Sequence, residues 1–89
     1  MEKKMVLSGH AIVVVANGFV YVGEVDIDSC WCIIQNARNI RKWGTTKGLG
    51  QLALEGPQED TVLDPAGMVR VPMHSVVHLI DSEESLWES

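Results

Sequence analysis

Basic side chains, cysteine and proline are all scarce in this chain, and each shortage excludes something. Seven Lys and Arg stand against twelve Asp and Glu, a formal net charge of −5. A general nucleic-acid coat needs a broadly basic surface to displace counterions from phosphate, so that class is excluded. Cys30 and Cys32 form a C-x-C pair, and no second pair exists to complete a zinc site. Residues two apart in a strand make poor disulfide partners, because their side chains run side by side without facing each other. Two reduced, buried thiols are therefore expected, in keeping with an intracellular compartment. With 3 Pro and 8 Gly in 89 residues and 46% apolar side chains, collagen and disorder are excluded as well. No apolar run approaches the roughly 20 residues of a membrane span. Lys3 and Lys4 precede the apolar stretch Ala11 to Ala16, but Ser8, Gly9 and His10 interrupt it, so export is not expected.

What is present is one small β-rich domain, expected over residues 10–82, between an N-terminal arm (1–9) and an acidic tail (83–89). Ala11 to Ala16 and Phe19 to Val25 are rich in β-branched and aromatic residues and flank Asn17-Gly18, the pair favoured in a type I′ hairpin turn. Val13, Val15, Val20 and Val22 make these strands apolar on two faces. Either both faces are covered within the chain, as in a small barrel, or one meets another subunit. Asp26, Asp28 and Ser29 make a polar turn before a third strand at Cys30 to Gln35, which Asn36 to Trp43 extends or bends away from.

Gly44 to Gly50 is a glycine-rich loop leading into a short helix marked by Leu49, Leu52 and Ala53, capped by Thr45 or Thr46 and closed by Gly56-Pro57. Asp64-Pro65-Ala66-Gly67 fits a type I turn joining short strands at Thr61 to Leu63 and Met68 to Val71. Pro72 ends that ladder, Ser75 to Ile80 is the last strand, and the tail frays except where Leu86 and Trp87 dock. The expected fold is mainly β: a small SH3/Sm-like barrel or curled antiparallel sheet of five to six strands with one short helix.

The average charge conceals an uneven map. Residues 1–37 carry −2, residues 38–47 carry +4 and residues 48–89 carry −7. The basic segment holds Arg38, Arg41, Lys42 and Lys47 together with Trp43, Thr45 and Thr46, and Gly48 follows directly. Each type suits a small anion: arginine as a planar fork for phosphate oxygens, lysine as a compact charge, glycine for backbone N–H approach, indole for stacking on a base. The spacing is not a Walker motif, since Lys47 precedes Gly48 instead of following the last glycine of G-x-x-x-x-G-K-[ST]. The alternative is a solvated strand edge kept basic against aggregation, with glycines supplying turns.

Nothing else assembles an active site. His74 and His78 are about 13 Å apart if the segment is a strand, too far to share a metal. His10 stands alone, and Asp26 and Asp28 have no acid partner. Trp31 and Trp43 are expected as core anchors, with a ligand platform as the second reading for Trp43. No catalytic residue, metal ligand or cofactor is expected.

Two resemblances bear on function. NARNIRKWGTTKGLGQLALEGP, followed by LDPAGMVRVP, resembles a family of small proteins encoded by bacteriophages and prophages, over residues 11–82. The resemblance implies no reaction; it implies an accessory role in an infected cell, such as countering host defence. The Asn17-Gly18 turn, Gly23 and Asp28 resemble the opening of Sm-like RNA-binding barrels, and Ser75 to Ile80 their closing strand. That family's RNA pocket is missing, because Cys32 replaces its asparagine and Pro72-Met73 its Arg-Gly pair.

The expectation is a non-enzymatic, homo-oligomeric phage protein in the cytoplasm of the bacterial host. It would sequester an anionic nucleotide signal through the 38–48 segment. An acidic nucleic-acid mimic that inhibits a host defence protein, such as a nuclease complex, is the alternative. An RNA-binding ring comes third.

Overall fold

The structure is a computed structural model and describes residues 8–87. The Lys3-Lys4 reading and most of the expected arm lie outside the described residues; Ser8 and Gly9 already belong to the first strand. Five antiparallel strands form one sheet: β1 (Ser8–Val15), β2 (Val20–Ile27), β3 (Trp31–Lys42), β4 (Val62–Pro72) and β5 (Val76–Asp81). Their order is β4-β3-β2-β1-β5. The two edges, β4 and β5, do not pair with each other, so the sheet is curled and open, not a closed barrel. A seven-residue helix, α1 (Leu49–Glu55), lies between β3 and β4, and 3-10 turns occupy Met73–Ser75 and Glu84–Leu86. No helix among the described residues is long and apolar enough to cross a membrane.

Both faces of the valine-rich strands are covered within one chain. On one face, Ala11, Val13, Val15, Val25, Cys32, Ile34, Ala37 and Val71 pack together inside the curl. On the other, Ile12, Val20, Val22 and Ile40 pack under Leu52 and Ala53 of α1 and under Trp87. The period-two alternation of β3 slips once. Ile34 and Ala37 share a face because the register shifts between them, where Asn36 adopts a left-handed φ of 52°. The slip sets Arg38 and Ile40 on the α1 side of the sheet, where Trp87 packs with Ile40 and its carbonyl accepts from Arg38.

Several local expectations are corrected. The first hairpin is not type I′, since Asn17 keeps a negative φ. It is a three-residue loop: Gly18 N–H donates to Val15 O, Val15 N–H donates to Phe19 O, and Gly18 alone takes a left-handed φ of 95°. Asp64 to Gly67 is not a turn between two strands but the middle of the single strand β4, irregular against Ala37 and Arg38. An edge strand accommodates Pro65, which has no N–H to give a ladder.

Trp31 and Trp43 are not core anchors; each is 42% exposed. The core tryptophan is Trp87, 2% exposed, so the tail docks through this residue as expected, while Leu86 stays 42% exposed. Cys30 is exposed and only Cys32 is buried, because the strand begins one residue after Cys30; both are free thiols.

Candidate functional site

Residues 38–48 run from the second half of β3 into the loop before α1, and the structure divides them into three groups. Arg41 is engaged: Nε donates to Asp64 Oδ2 at 2.7 Å and Nη2 to Oδ1 at 3.4 Å. That fork, helped by the carboxylate charge, pushes the Arg41 pKa further up. Arg38 lies elsewhere, with Nη2 donating to the Trp87 carbonyl at 2.8 Å. Lys42, Trp43, Thr45, Thr46, Lys47 and Gly48 form the third group at the strand end and loop.

The loop is rigidly tied. Gly44 has a φ of 68°, and a Cβ there would stand 2.4 Å from the carbonyl carbon of Asp60. Only glycine permits that approach of two backbones. Beside it, Thr61 Oγ1 donates to the Trp43 carbonyl at 2.7 Å and accepts from Gln58 N–H at 2.8 Å. Thr45 Oγ1 accepts from Gly48 N–H at 3.0 Å and reaches the Gly48 carbonyl at 3.1 Å. Gln51 Oε1 accepts from the N–H groups of Thr46 (3.2 Å) and Lys47 (2.9 Å). Neither Thr45 nor Thr46 is the helix cap; Gly48 holds that position without a side-chain cap bond.

This wiring decides what the loop offers a ligand. The backbone donors of residues 46–48, expected to face an anion, are occupied by Thr45 and Gln51. What remains outward is side-chain chemistry: the half-exposed Trp43 indole beside Gly48, and Lys42 and Lys47, both exposed and without an ion pair among the described residues. Gln51 is the residue sequence reading missed, since i, i+4 and i, i+5 contacts to a preceding loop leave no motif.

A second concavity also escaped sequence reading. His10, Gly23, Glu24, Asn36, Arg38, Glu84 and Trp87 line an open cavity of about 370 Å³. Gly23 lets β2 and β3 approach closely on the opposite face, since a Cβ there would lie 2.8 Å from both Gln35 O and Ile34 Cγ2. His10 pairs with Glu24 in the β1–β2 register. Its Nδ1 lies 2.6 Å from Ser82 Oγ, and its ring is tilted at 44° against Trp87 with centroids 5.8 Å apart. Burial pushes the His10 pKa down, against the opposing pull of Glu84 and Glu24. The Trp87 indole Nε1 is buried without a hydrogen-bond partner.

His74 and His78 are both exposed, one on a 3-10 turn and one on β5. Among the described residues no three His, Cys, Asp or Glu side chains gather in a way that could hold a metal ion. Comparison with protein-family models, curated proteins and solved structures gives no match to this chain.

Proposed function

We propose that this chain is a phage-encoded, non-enzymatic binding protein that sequesters an anionic nucleotide signal in the cytoplasm of the infected host. One observation carries the reading: a 42%-exposed indole, Trp43, stands on an internally fastened loop between two cations, Lys42 and Lys47, that have no ion pair among the described residues. An aromatic face with adjacent free ammonium groups matches a base joined to phosphate. A fastened loop lowers the ordering cost of binding, and sequestration acts by mass action without chemistry. Arg41, paired with Asp64, is not one of the free cations of this site. The phage origin rests on the sequence resemblance.

Calorimetry with linear and cyclic nucleotides tests the reading. Saturable binding that weakens at least about tenfold in a Lys42→Ala/Lys47→Ala variant, and that falls as salt rises, is expected. Equal binding by native and variant chains would sink the assignment.

A second reading has its own support. Glu55, Glu59, Asp60, Asp81, Glu83 and Glu84 are all exposed and without an ion pair among the described residues. Such a surface suits an acidic mimic placed against a basic host protein. A mimic gives no heat with nucleotides, which separates the two. Self-association no longer follows from uncovered valines, since both strand faces are covered within one chain; its support is the pair of open sheet edges, near which Met68 (60%) and Val77 (53%) are exposed. Native mass spectrometry reads the subunit number and any retained nucleotide together.

A further inference from the structure

The cavity between β1, β2, β3 and the C-terminal turn has chemistry of its own, separate from the Trp43 loop. Three charged side chains line it: the Arg38 guanidinium and the Glu24 and Glu84 carboxylates. None of them is in an ion pair among the described residues. They stand on different elements. Glu24 sits on β2, Glu84 on the 3-10 turn, and Arg38 is turned towards the Trp87 carbonyl, which takes one of its five N–H groups. Trp87 also lines the cavity, but its indole N–H is buried out of reach of solvent.

A ligand that satisfies all of these groups must be amphoteric. It needs an anionic oxygen group for Arg38 and cationic N–H donors for the two carboxylates. With two carboxylates against one guanidinium, the cavity is complementary to one net positive charge. His10 contributes no positive charge near neutral pH, because burial favours its neutral form. A nucleotide, carrying net negative charge, is mismatched here. We propose that this cavity is a binding site for a free basic α-amino acid, whose carboxylate meets Arg38 and whose two cationic groups meet Glu24 and Glu84. The volume of about 370 Å³ lies within the range of small-metabolite pockets. The His10 and Trp87 rings supply an aromatic wall for an alkyl-guanidinium or alkyl-ammonium chain.

The test uses the full chain and L-arginine as probe, at low ionic strength because these charges are partly solvated. Calorimetry is expected to give saturable one-to-one binding. Agmatine, which lacks the carboxylate, and the Glu24→Gln/Glu84→Gln variant with L-arginine should each bind at least about tenfold more weakly. In native protein, a proton–nitrogen correlation spectrum should show the Trp87 indole N–H and the Gly23 and Asn36 amides moving on titration. That measurement needs no variant to fold. Absence of saturation, equal affinity for agmatine, unchanged affinity in a folded Gln variant, or signals moving only around Lys47 would each overturn the proposal. Because nucleotide binding at Trp43 is scored by different residues, failure of either site leaves the other standing.

Discussion

Arg38 donates from Nη2 to the carbonyl of Trp87 at 2.8 Å, fastening residues 49 positions apart in the sequence. The bond holds the C-terminal turn down while the Trp87 ring fills the face formed by Ile12, Val22, Ile40 and Leu52. The two contributions differ in size. Trp87→Ala removes a 98%-buried indole and is expected to destabilise by about 3–5 kcal/mol, as large aromatic truncations in cores do. Arg38→Ala removes one charged hydrogen bond at a half-buried position and is expected near the low end of that class, about 1.5 kcal/mol. Urea denaturation followed by circular dichroism measures both. Equal effects would mean that the ring is not the anchor.

His10 makes the same turn sensitive to acid. Its folded pKa is pushed below the ordinary histidine value of about 6.5, first by burial and also by Arg38; Glu84 and Glu24 oppose the shift. The unfolded chain therefore binds a proton more readily than the folded one. Stability rises with pH wherever that difference holds, so it is lost as pH falls below about 6.5 and is insensitive to this group above it. Denaturation midpoints of the native chain should drop between pH 7 and 5.5, and His10→Gln should flatten that part of the profile. An unchanged slope in the variant would assign the pH dependence to other groups.

The strands were legible because their residues declare a period of two, and α1 because Leu49, Leu52 and Ala53 recur at helical spacing. The curl of the sheet was half legible, in that two-faced valines require two covers without saying what provides them. The cover proved to be α1 and Trp87, and a single tryptophan in an acidic tail carries no periodic signal. The turn expected at Asp64 to Gly67 failed for a similar reason. Turn chemistry is local, whereas pairing of β4 with β3 on an edge is tertiary and accommodates both Pro65 and a left-handed Gly67 as irregularities. At the candidate site, the residue types of 42–48 are plain in the sequence, but their wiring is not. Arg41 was spoken for by Asp64 and the backbone N–H groups by Gln51, both contacts that depend on the folded chain.

The two thiols provide a check on where β3 begins. Cys30 is exposed before the strand, while Cys32 is fully buried inside the curl and burial pushes its pKa up. Reagents attack the thiolate, so the buried thiol is shielded twice, by access and by protonation. Mass spectrometry after brief iodoacetamide treatment should find one alkyl group on the native chain, at Cys30, and a second only after denaturation. Rapid double labelling of the native protein would show that the curl opens at Cys32.

Glycines of equal φ but unequal surroundings separate backbone strain from steric exclusion in the loop. Gly44 and Gly67 have φ values of 68° and 75°, so alanine is strained at both. At Gly67 nothing lies within 4 Å of a new Cβ, whereas at Gly44 it would stand 2.4 Å from the Asp60 carbonyl carbon and 2.5 Å from Thr61 N. Gly67→Ala is therefore expected to lose about 1 kcal/mol, the ordinary conformational penalty. Gly44→Ala should lose more, because Asp60 and Thr61 must move, and with them the Thr61 hydroxyl that holds the Trp43 carbonyl. Displacing that hydroxyl loosens the platform proposed for the nucleotide. Thermal melts should rank the variants in this order, and calorimetry should show nucleotide affinity falling in Gly44→Ala while Gly67→Ala keeps it. The reverse ranking would mean that the approach of Gly44 to Asp60 does not hold the loop in solution.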